Sequence, residues 1–204
     1  MDQTPCVVLD IGGILEVTPE TGWLARWEVK EGLAPGTVEG RLGEVFAAGS
    51  IGTMTEQQVI AAVAERLPVG RSALERFWND LWREYLGTLN QELFGWFRDL
   101  RPEFRTAILS NSFVGATERE AQLYGFPAVT DMIIYSHEVG LEKPDPRIYA
   151  LTCERMGTDP AQMIFLDDLE VNCEAARQAG WKAVQFLDTH QAITDVEALL
   201  HRIR

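Results

Sequence analysis

An aspartate followed closely by two glycines is the first candidate for chemistry in the sequence. The apolar run Cys6-Val7-Val8-Leu9 ends in Asp10, and Gly12 and Gly13 follow after one isoleucine. A short aliphatic run that breaks into glycine is typical of a buried strand ending in a tight loop. Because glycine lacks a Cβ, the backbone at Gly13 could approach a bound anion closely. This stretch predicts a carboxylate beside an anion-binding loop, although a solvated aspartate in a glycine turn fits the same residues.

Polar residues also follow later apolar runs of the same kind. Ser110 and Asn111 follow the run at 106–109, Asp167 and Asp168 follow the run at 163–166, and Lys143 lies in a loop after a third run. The carboxyl ends of parallel strands meet at one edge of a sheet, so these side chains are expected to converge there. Crowded carboxylates repel one another unless a cation lies among them, and an oxygen-rich set of ligands suits Mg²⁺.

The elements that position these residues follow from the spacing of apolar residues. After residue 100, short aliphatic runs alternate with helical segments, which indicates an α/β fold with a Rossmann-like parallel sheet. Between residues 16 and 97 the spacing is helical instead, and most of the tryptophans lie there. The sequence therefore predicts a core made of residues 1–15 and 98–204, with an inserted all-helical cap at 16–97.

Composition restricts the partners of the protein. The chain has 204 residues, 46% of them hydrophobic, and a formal net charge of −13 at pH 7. Such an acidic chain is not expected to bind nucleic acid or an anionic membrane surface. Its three cysteines are widely spaced and its beginning does not resemble a signal peptide, so we expect a cytoplasmic protein with reduced thiols. The oligomeric state cannot be predicted from the sequence.

In the order and spacing of these residues, the sequence resembles the haloacid dehalogenase (HAD) superfamily. Asp10-Ile11-Gly12-Gly13-Ile14-Leu15 resembles the first motif of that superfamily and Leu109-Ser110-Asn111-Ser112 resembles the second. Lys143 with Pro144-Asp145-Pro146 resembles the third motif, and Asp167-Asp168 resembles the fourth. A helical block between the first two motifs is similar to subclass I, which carries a helical C1 cap. The resemblance covers essentially the whole chain.

The resemblance implies a phosphatase that acts on a small phosphorylated metabolite. Asp10 would be the nucleophile that takes the phosphoryl group as an aspartyl-phosphate. Ser110 and the backbone N–H of Asn111 would hold the phosphoryl oxygens, beside the loop at Gly13. Lys143 would neutralise the charge of the nucleophile and the phosphate together.

The resemblance also implies a Mg²⁺ cofactor. Its ligands would be Asp10, the carbonyl oxygen of Gly12 and Asp168, with Asp167 beside it. The metal would allow two anions, the carboxylate and the phosphate, to approach one another.

One position departs from the superfamily pattern and leaves three interpretations open. Phosphatases of the superfamily usually carry a second aspartate two residues after the nucleophile, as the general acid, and here that residue is Gly12. The first interpretation is a phosphatase that favours leaving groups needing no proton, such as acyl or anomeric sugar phosphates, or that uses a substitute acid. The second is a metal-independent 2-haloacid dehalogenase, and the third is a catalytically inactive binding or regulatory protein.

Overall fold

A parallel sheet forms the centre of the computed structural model, which describes residues 4–18 and 21–203. Residues 1–3, 19–20 and 204, at the ends of the predicted core and within the predicted cap, lie outside the described residues. The strands in the described part of the chain are β1 (Cys6–Leu9), β2 (Glu16–Val17), β3 (Thr88–Leu89), β4 (Arg105–Ser110), β5 (Met132–Tyr135), β6 (Met163–Asp167) and β7 (Lys182–Gln185). Five of them form one sheet in the order β5-β4-β1-β6-β7, with every neighbouring pair parallel. The predicted α/β fold is confirmed, and β1 is its central strand.

Helices make up most of the remaining chain. They are α1 (Trp23–Lys30), α2 (Thr37–Ser50), α3 (Glu56–Arg66), α4 (Arg71–Leu86), α5 (Gln91–Asp99), α6 (Ala116–Tyr124), α7 (Phe126–Val129), α8 (Ser136–Val139), α9 (Pro146–Met156), α10 (Glu170–Gln178) and α11 (Thr189–Ile203). A short 3₁₀ helix, Pro160–Gln162, precedes β6. Within the described residues, no helix combines the length and the apolar character needed to cross a bilayer.

Both faces of the sheet are covered, which explains why its central strand β1 is apolar throughout. Side chains alternate along β1, so that Val7 and Leu9 pack in one buried cluster and Cys6 and Val8 pack in another. Helices α5 and α11 supply residues to the first cluster, and α9 and α10 supply residues to the second. Burial on both faces is the usual condition of a parallel sheet and fixes the register of its central strand.

A third apolar cluster, separate from the sheet, holds α1 to α4 together. Phe77 of α4 is fully buried at its centre, and its ring lies 5.5 Å from the ring of Trp23 and 5.0 Å from that of Trp27. These four helices form the part of the chain that we call the cap. Helix α5 packs instead on the sheet through Leu93 and Phe97. The predicted cap borders at residues 16 and 97 stay a prediction.

One feature of the connections was not expected from the sequence. Strands β2 and β3 pair antiparallel where the chain leaves the core and returns to it. Two residues are too few to show a periodic pattern, so sequence spacing could not reveal them.

The cap meets the core at the end of α2, where the core contacts the main chain of Ser50 and Gly52. The hydroxyl of Ser136 donates to the carbonyl oxygen of Ser50 at 2.7 Å. Gly52 has a φ of +69°, and a Cβ added there would overlap the carbonyl oxygen of His137. Only glycine combines this backbone conformation with so close an approach. The segment 49–52 is therefore the docking turn between cap and core.

Candidate active site

Lys143 lies at the centre of a buried group of charges at the carboxyl edge of the sheet. Asp10 follows β1, and Asp167 is the last residue of the adjacent strand β6. The ammonium nitrogen of Lys143 lies 2.8 Å from Asp10 Oδ1 and 2.7 Å from Asp167 Oδ2. Ser110, buried at the end of β4, lies on the other side of β1. The structure thus brings three distant parts of the sequence together, as the topology predicts.

The side chain of Asn111 holds the loop that carries Lys143. Its Oδ1 accepts from the backbone N–H of Lys143 at 2.7 Å, and its Nδ2 donates to the carbonyl oxygen of Lys143 at 2.8 Å. Two opposed hydrogen bonds fix both the position and the direction of that residue's backbone. Sequence reasoning assigned only the backbone N–H of Asn111 to phosphate, so this positioning role of its side chain is new.

Asp167 and Asp168 have different surroundings although they are adjacent. Asp167 is fully buried and accepts from Lys143, from the N–H of Leu169 at 2.9 Å and from Asn172 Nδ2 at 3.0 and 3.1 Å. Asp168 is only partly buried. Asp167 therefore holds Lys143 in place, while Asp168 is the more accessible carboxylate.

The three aspartates together could hold a metal ion. Carboxylate oxygens of Asp10, Asp167 and Asp168 lie within 4.8 Å of one another. Hard divalent cations such as Mg²⁺ prefer oxygen ligands of this kind. Three carboxylates and one ammonium leave two uncompensated negative charges if all are ionised, and a divalent cation would balance them.

Burial and these charges shift the pKa values of the site. The pKa of Asp10 is raised to about 6. Burial is the main cause, Lys143 opposes it, and the charge of Asp167 adds to it. Burial and the neighbouring Asp167 also raise the pKa of Asp168. Burial lowers the pKa of Lys143, but Asp10 and Asp167 outweigh it and the net shift is upward. The ammonium is therefore retained, and a bound cation would favour the ionised carboxylates.

The two glycines after Asp10 have different reasons to be glycine. Gly13 has a φ of +74°, and a Cβ there would lie 2.6 Å from Asp168 Oδ2. Its N–H donates to the carbonyl oxygen of Glu16 at 2.9 Å. The expected role of Gly13 in binding an anion stays a prediction. Gly12 is exposed, and a Cβ there would meet nothing within 4 Å. A side chain at position 12 would therefore fit.

Two buried glutamates close to the site were missed by sequence reasoning. Glu16 of β2 and Glu120 of α6 are 1% and 0% exposed, and each has an Oε1 without a hydrogen-bond partner among the described residues. The hydroxyl of Tyr135 donates to the other oxygen of Glu120 at 2.7 Å. Burial, then the charges of Glu120 and Asp10, raises the pKa of Glu16 to about 9. Burial raises the pKa of Glu120 to about 7, against the hydrogen bond from Tyr135. No local sequence signal distinguishes these residues from surface glutamates.

Comparison with solved structures identifies the same fold. A predicted HAD-like family hydrolase from Porphyromonas gingivalis is 20% identical, with a TM-score of 0.78 over 96% of this chain and 98% of that chain. A HAD family enzyme from Bacteroides thetaiotaomicron, in complex with magnesium and inorganic phosphate, is 19% identical, with a TM-score of 0.75 over 89% of this chain and 93% of that chain. At these identities the likeness concerns the fold alone.

Sequence comparison gives relatives and a family. The chain is 27% identical to acyl-CoA dehydrogenase family member 10 of Mus musculus. The match covers 95% of this chain but only 19% of that relative. It is 26% identical to enolase-phosphatase E1 of Methylococcus capsulatus, over 72% of this chain and 69% of that relative. A family model described as haloacid dehalogenase-like hydrolase matches residues 24–180. The chain therefore belongs to the haloacid dehalogenase-like hydrolase family.

Proposed function

We propose that this protein is a Mg²⁺-dependent phosphatase that hydrolyses a small phosphorylated metabolite through an aspartyl-phosphate on Asp10. The observation that carries the proposal is the contact of Asp10 with the buried ammonium of Lys143, inside a cluster of three carboxylates. A metal-independent reaction would leave Asp168 without a function in this cluster. The phosphatases among the relatives agree with this choice.

In this mechanism Asp10 is the nucleophile, and Lys143, Ser110 and Asn111 stabilise or hold the phosphoryl group. An Asp10 carboxylate oxygen attacks phosphorus, and the bond from phosphorus to the leaving oxygen breaks with its electron pair on that oxygen. Lys143 stabilises the charge of the nucleophile and the phosphoryl group, while Ser110 and the N–H of Asn111 hold the phosphoryl oxygens. Water then attacks phosphorus of the aspartyl-phosphate, and the bond from phosphorus to the Asp10 oxygen breaks with its electron pair on that oxygen. Asp10 is restored as a carboxylate, and the protons of the water leave with inorganic phosphate and solvent.

The metal would be held by residues that fit it. Asp10, Asp168 and the carbonyl oxygen of Gly12 would be its ligands, with Asp167 next to them, and Mg²⁺ would supply positive charge against carboxylate and phosphate. Asp167 contributes to the same arrangement by its hydrogen bonds to Lys143 and Asn172.

The absence of an acid at Gly12 restricts the leaving group. Acyl and anomeric phosphates release anions stable enough to depart without a proton. The open space at position 12 makes Gly12→Asp a clean test, because the new side chain meets no neighbour within 4 Å of its Cβ. We expect Gly12→Asp to accelerate hydrolysis of alkyl phosphates by about 10²- to 10⁴-fold and acyl phosphates far less. Equal effects on both substrate classes would contradict the missing-acid interpretation.

Thermal unfolding tests the proposed site without a known substrate. Beryllofluoride mimics a phosphorylated aspartate, and a ligand at 100 times its Kd stabilises the folded state by about 2.7 kcal/mol. We expect a rise in Tm with Mg²⁺ and beryllofluoride together, and none for the Asp10→Asn variant. An identical Tm with and without the two ions would refute a phosphoryl-transfer site.

The proposed function also implies the kind of molecule that the protein binds and the compartment in which it acts. A small-molecule phosphate is the proposed partner, without nucleic acid or membrane, and the cytoplasm is the proposed location. The three cysteines are free thiols, which agrees with a reducing compartment.

A further inference from the structure

A cavity of about 240 Å³ lies between cap and core, next to the loop that follows β4. The cap contributes Phe46 from α2 and Leu81 and Tyr85 from α4, and the core contributes Phe113. Asn111, which holds the Lys143 loop, also lines it. A substrate whose phosphoryl group is held at Asn111 would therefore extend its leaving group into this cavity.

The walls of the cavity are largely apolar, and their aromatic rings contact one another. The ring of Phe113 lies 5.8 Å from that of Phe46 and 6.2 Å from that of Trp82, and Trp82 lies 5.3 Å from Tyr85. Aromatic contacts of this kind, two edge-to-face and one tilted, favour these ring orientations. The cavity thus presents an apolar wall, which favours an apolar ligand.

The polar side chains of the lining already have partners within the protein. Ser50 donates to the carbonyl oxygen of Phe46 at 3.1 Å, and both ends of the Asn111 amide bond the backbone of Lys143. Ser112 Oγ lies 2.6 Å from His137 Nδ1. Of the other two polar lining residues, Tyr85 has a hydrogen bond with the backbone of Phe113, and Glu142 is exposed and acidic and would repel a second anionic group. Hydroxyl groups of a sugar would therefore find few free partners here, and each unpaired hydroxyl would cost binding energy.

On these grounds we infer that the leaving group is apolar, and that the substrates are acyl phosphates with an aromatic or branched aliphatic group rather than sugar phosphates. This inference rests on the proposed function and narrows it. An acyl phosphate plus water gives a carboxylate and inorganic phosphate. The P–O bond breaks with its electron pair on the carboxylate oxygen, which needs no proton, in agreement with Gly12. An apolar cavity of about 150 Å³ holds one benzene ring, so this cavity is large enough for a single ring.

A pair of substrates that differ only in the apolar group tests the inference. Benzoyl phosphate and acetyl phosphate release carboxylates of nearly the same basicity, so their chemistry is matched, while glucose 1-phosphate represents a hydroxylated leaving group. Burial of a phenyl ring is expected to raise kcat/KM for benzoyl phosphate about 10- to 100-fold over acetyl phosphate. Glucose 1-phosphate is expected to be the poorest of the three.

Two substitutions in α4 distinguish an effect of the cavity lining on substrate preference from an effect of changing the cap in general. Leu81 lines the cavity, whereas Leu74 lies two turns earlier in the same helix, is also partly buried and packs in the cap cluster. Leu81→Asn is expected to bring the ratio of benzoyl to acetyl phosphate towards one. Leu74→Asn introduces the same polar group and is expected to leave that ratio unchanged.

The outcomes distinguish this inference from the proposed function. Equal kcat/KM for benzoyl and acetyl phosphate, or a preference for glucose 1-phosphate, would overturn the apolar leaving group while leaving the phosphatase intact. Failure of the beryllofluoride shift would refute the proposed function itself. If none of the three phosphates is hydrolysed, calorimetric titration with benzylphosphonate and methylphosphonate in the presence of Mg²⁺ tests the preference for an apolar group. Tighter binding of benzylphosphonate by about tenfold supports the apolar cavity, and equal affinities overturn it.

Discussion

Substitution of Glu16 by glutamine is expected to make the protein more stable at neutral and alkaline pH. Glu16 is 1% exposed, and its pKa is raised by burial from about 4.5 to about 9. The folded state therefore binds the proton more tightly than the unfolded state. Stability from the neutral carboxyl is fully present below about pH 4.5 and is lost as the pH rises towards about 9.

The size of the effect follows from this pKa difference. Each pH unit in that window lowers the free energy of unfolding by about 1.4 kcal/mol, because Glu16 ionises in the unfolded state and stays protonated in the folded state. Between pH 4.5 and pH 7 the loss is about 3 kcal/mol. Glutamine has nearly the shape of the protonated acid and does not titrate. The variant and the natural protein should therefore be about equally stable near pH 4.5, and the variant should gain about 1.4 kcal/mol per pH unit above that.

Urea unfolding at several pH values between 5 and 8 measures this difference directly. Glu65→Gln is the matched control, because it makes the same substitution at an exposed position of α3 and leaves Glu16 in place. A stability difference between Glu16→Gln and the natural protein that does not change with pH would refute the reasoning. A variant less stable than the natural protein at pH 8 would refute it as well.

Three other predictions concern the site. Gly13→Ala should lower the free energy of unfolding by about 1–2 kcal/mol or more, because position 13 has a positive φ and a Cβ there would contact Asp168. Gly12→Ala should change it by less than about 1 kcal/mol, and urea unfolding of both variants measures the difference. Lys143→Met should reduce kcat about 10²- to 10³-fold, measured by phosphate release, because it removes the charge that stabilises the nucleophile and phosphate. Asn172→Ala should weaken Mg²⁺ affinity or activity about 10- to 100-fold by releasing Asp167, and a Mg²⁺ titration of activity with unchanged apparent affinity and rate would contradict this role.

The sheet was predictable from the sequence because its signals are local. The runs at 106–109 and 163–166 lie within β4 and β6, and each is followed by the polar residue expected at its end. Parallel topology then places those ends at one edge, so the neighbourhood of Asp10, Ser110 and Asp167 follows from strand order. Lys143 lies in a loop beyond α8, after the edge strand β5, and its contact with Asp10 does not follow from strand order.

The detailed contacts of the site were not predictable, because they depend on tertiary packing. The amide of Asn111 bonds a backbone 32 residues away, and no spacing rule connects two such positions. The burial of Glu16 and Glu120 likewise depends on how β2 and α6 pack beside the site. A glutamate on a two-residue strand has the same sequence signature whether it faces solvent or the interior.

The docking turn at Gly52 separates the placement of the cap from the selection of substrate. Ser50 and Gly52 contact the core through their own backbone atoms, so this contact does not depend on which side chains α2 and α4 carry. Leu81 could change in size or polarity while this contact is kept, whereas Phe46 also packs on Phe113 of the core. New substrate ranges could therefore arise, by natural variation or by design, through a few replacements on a fixed frame.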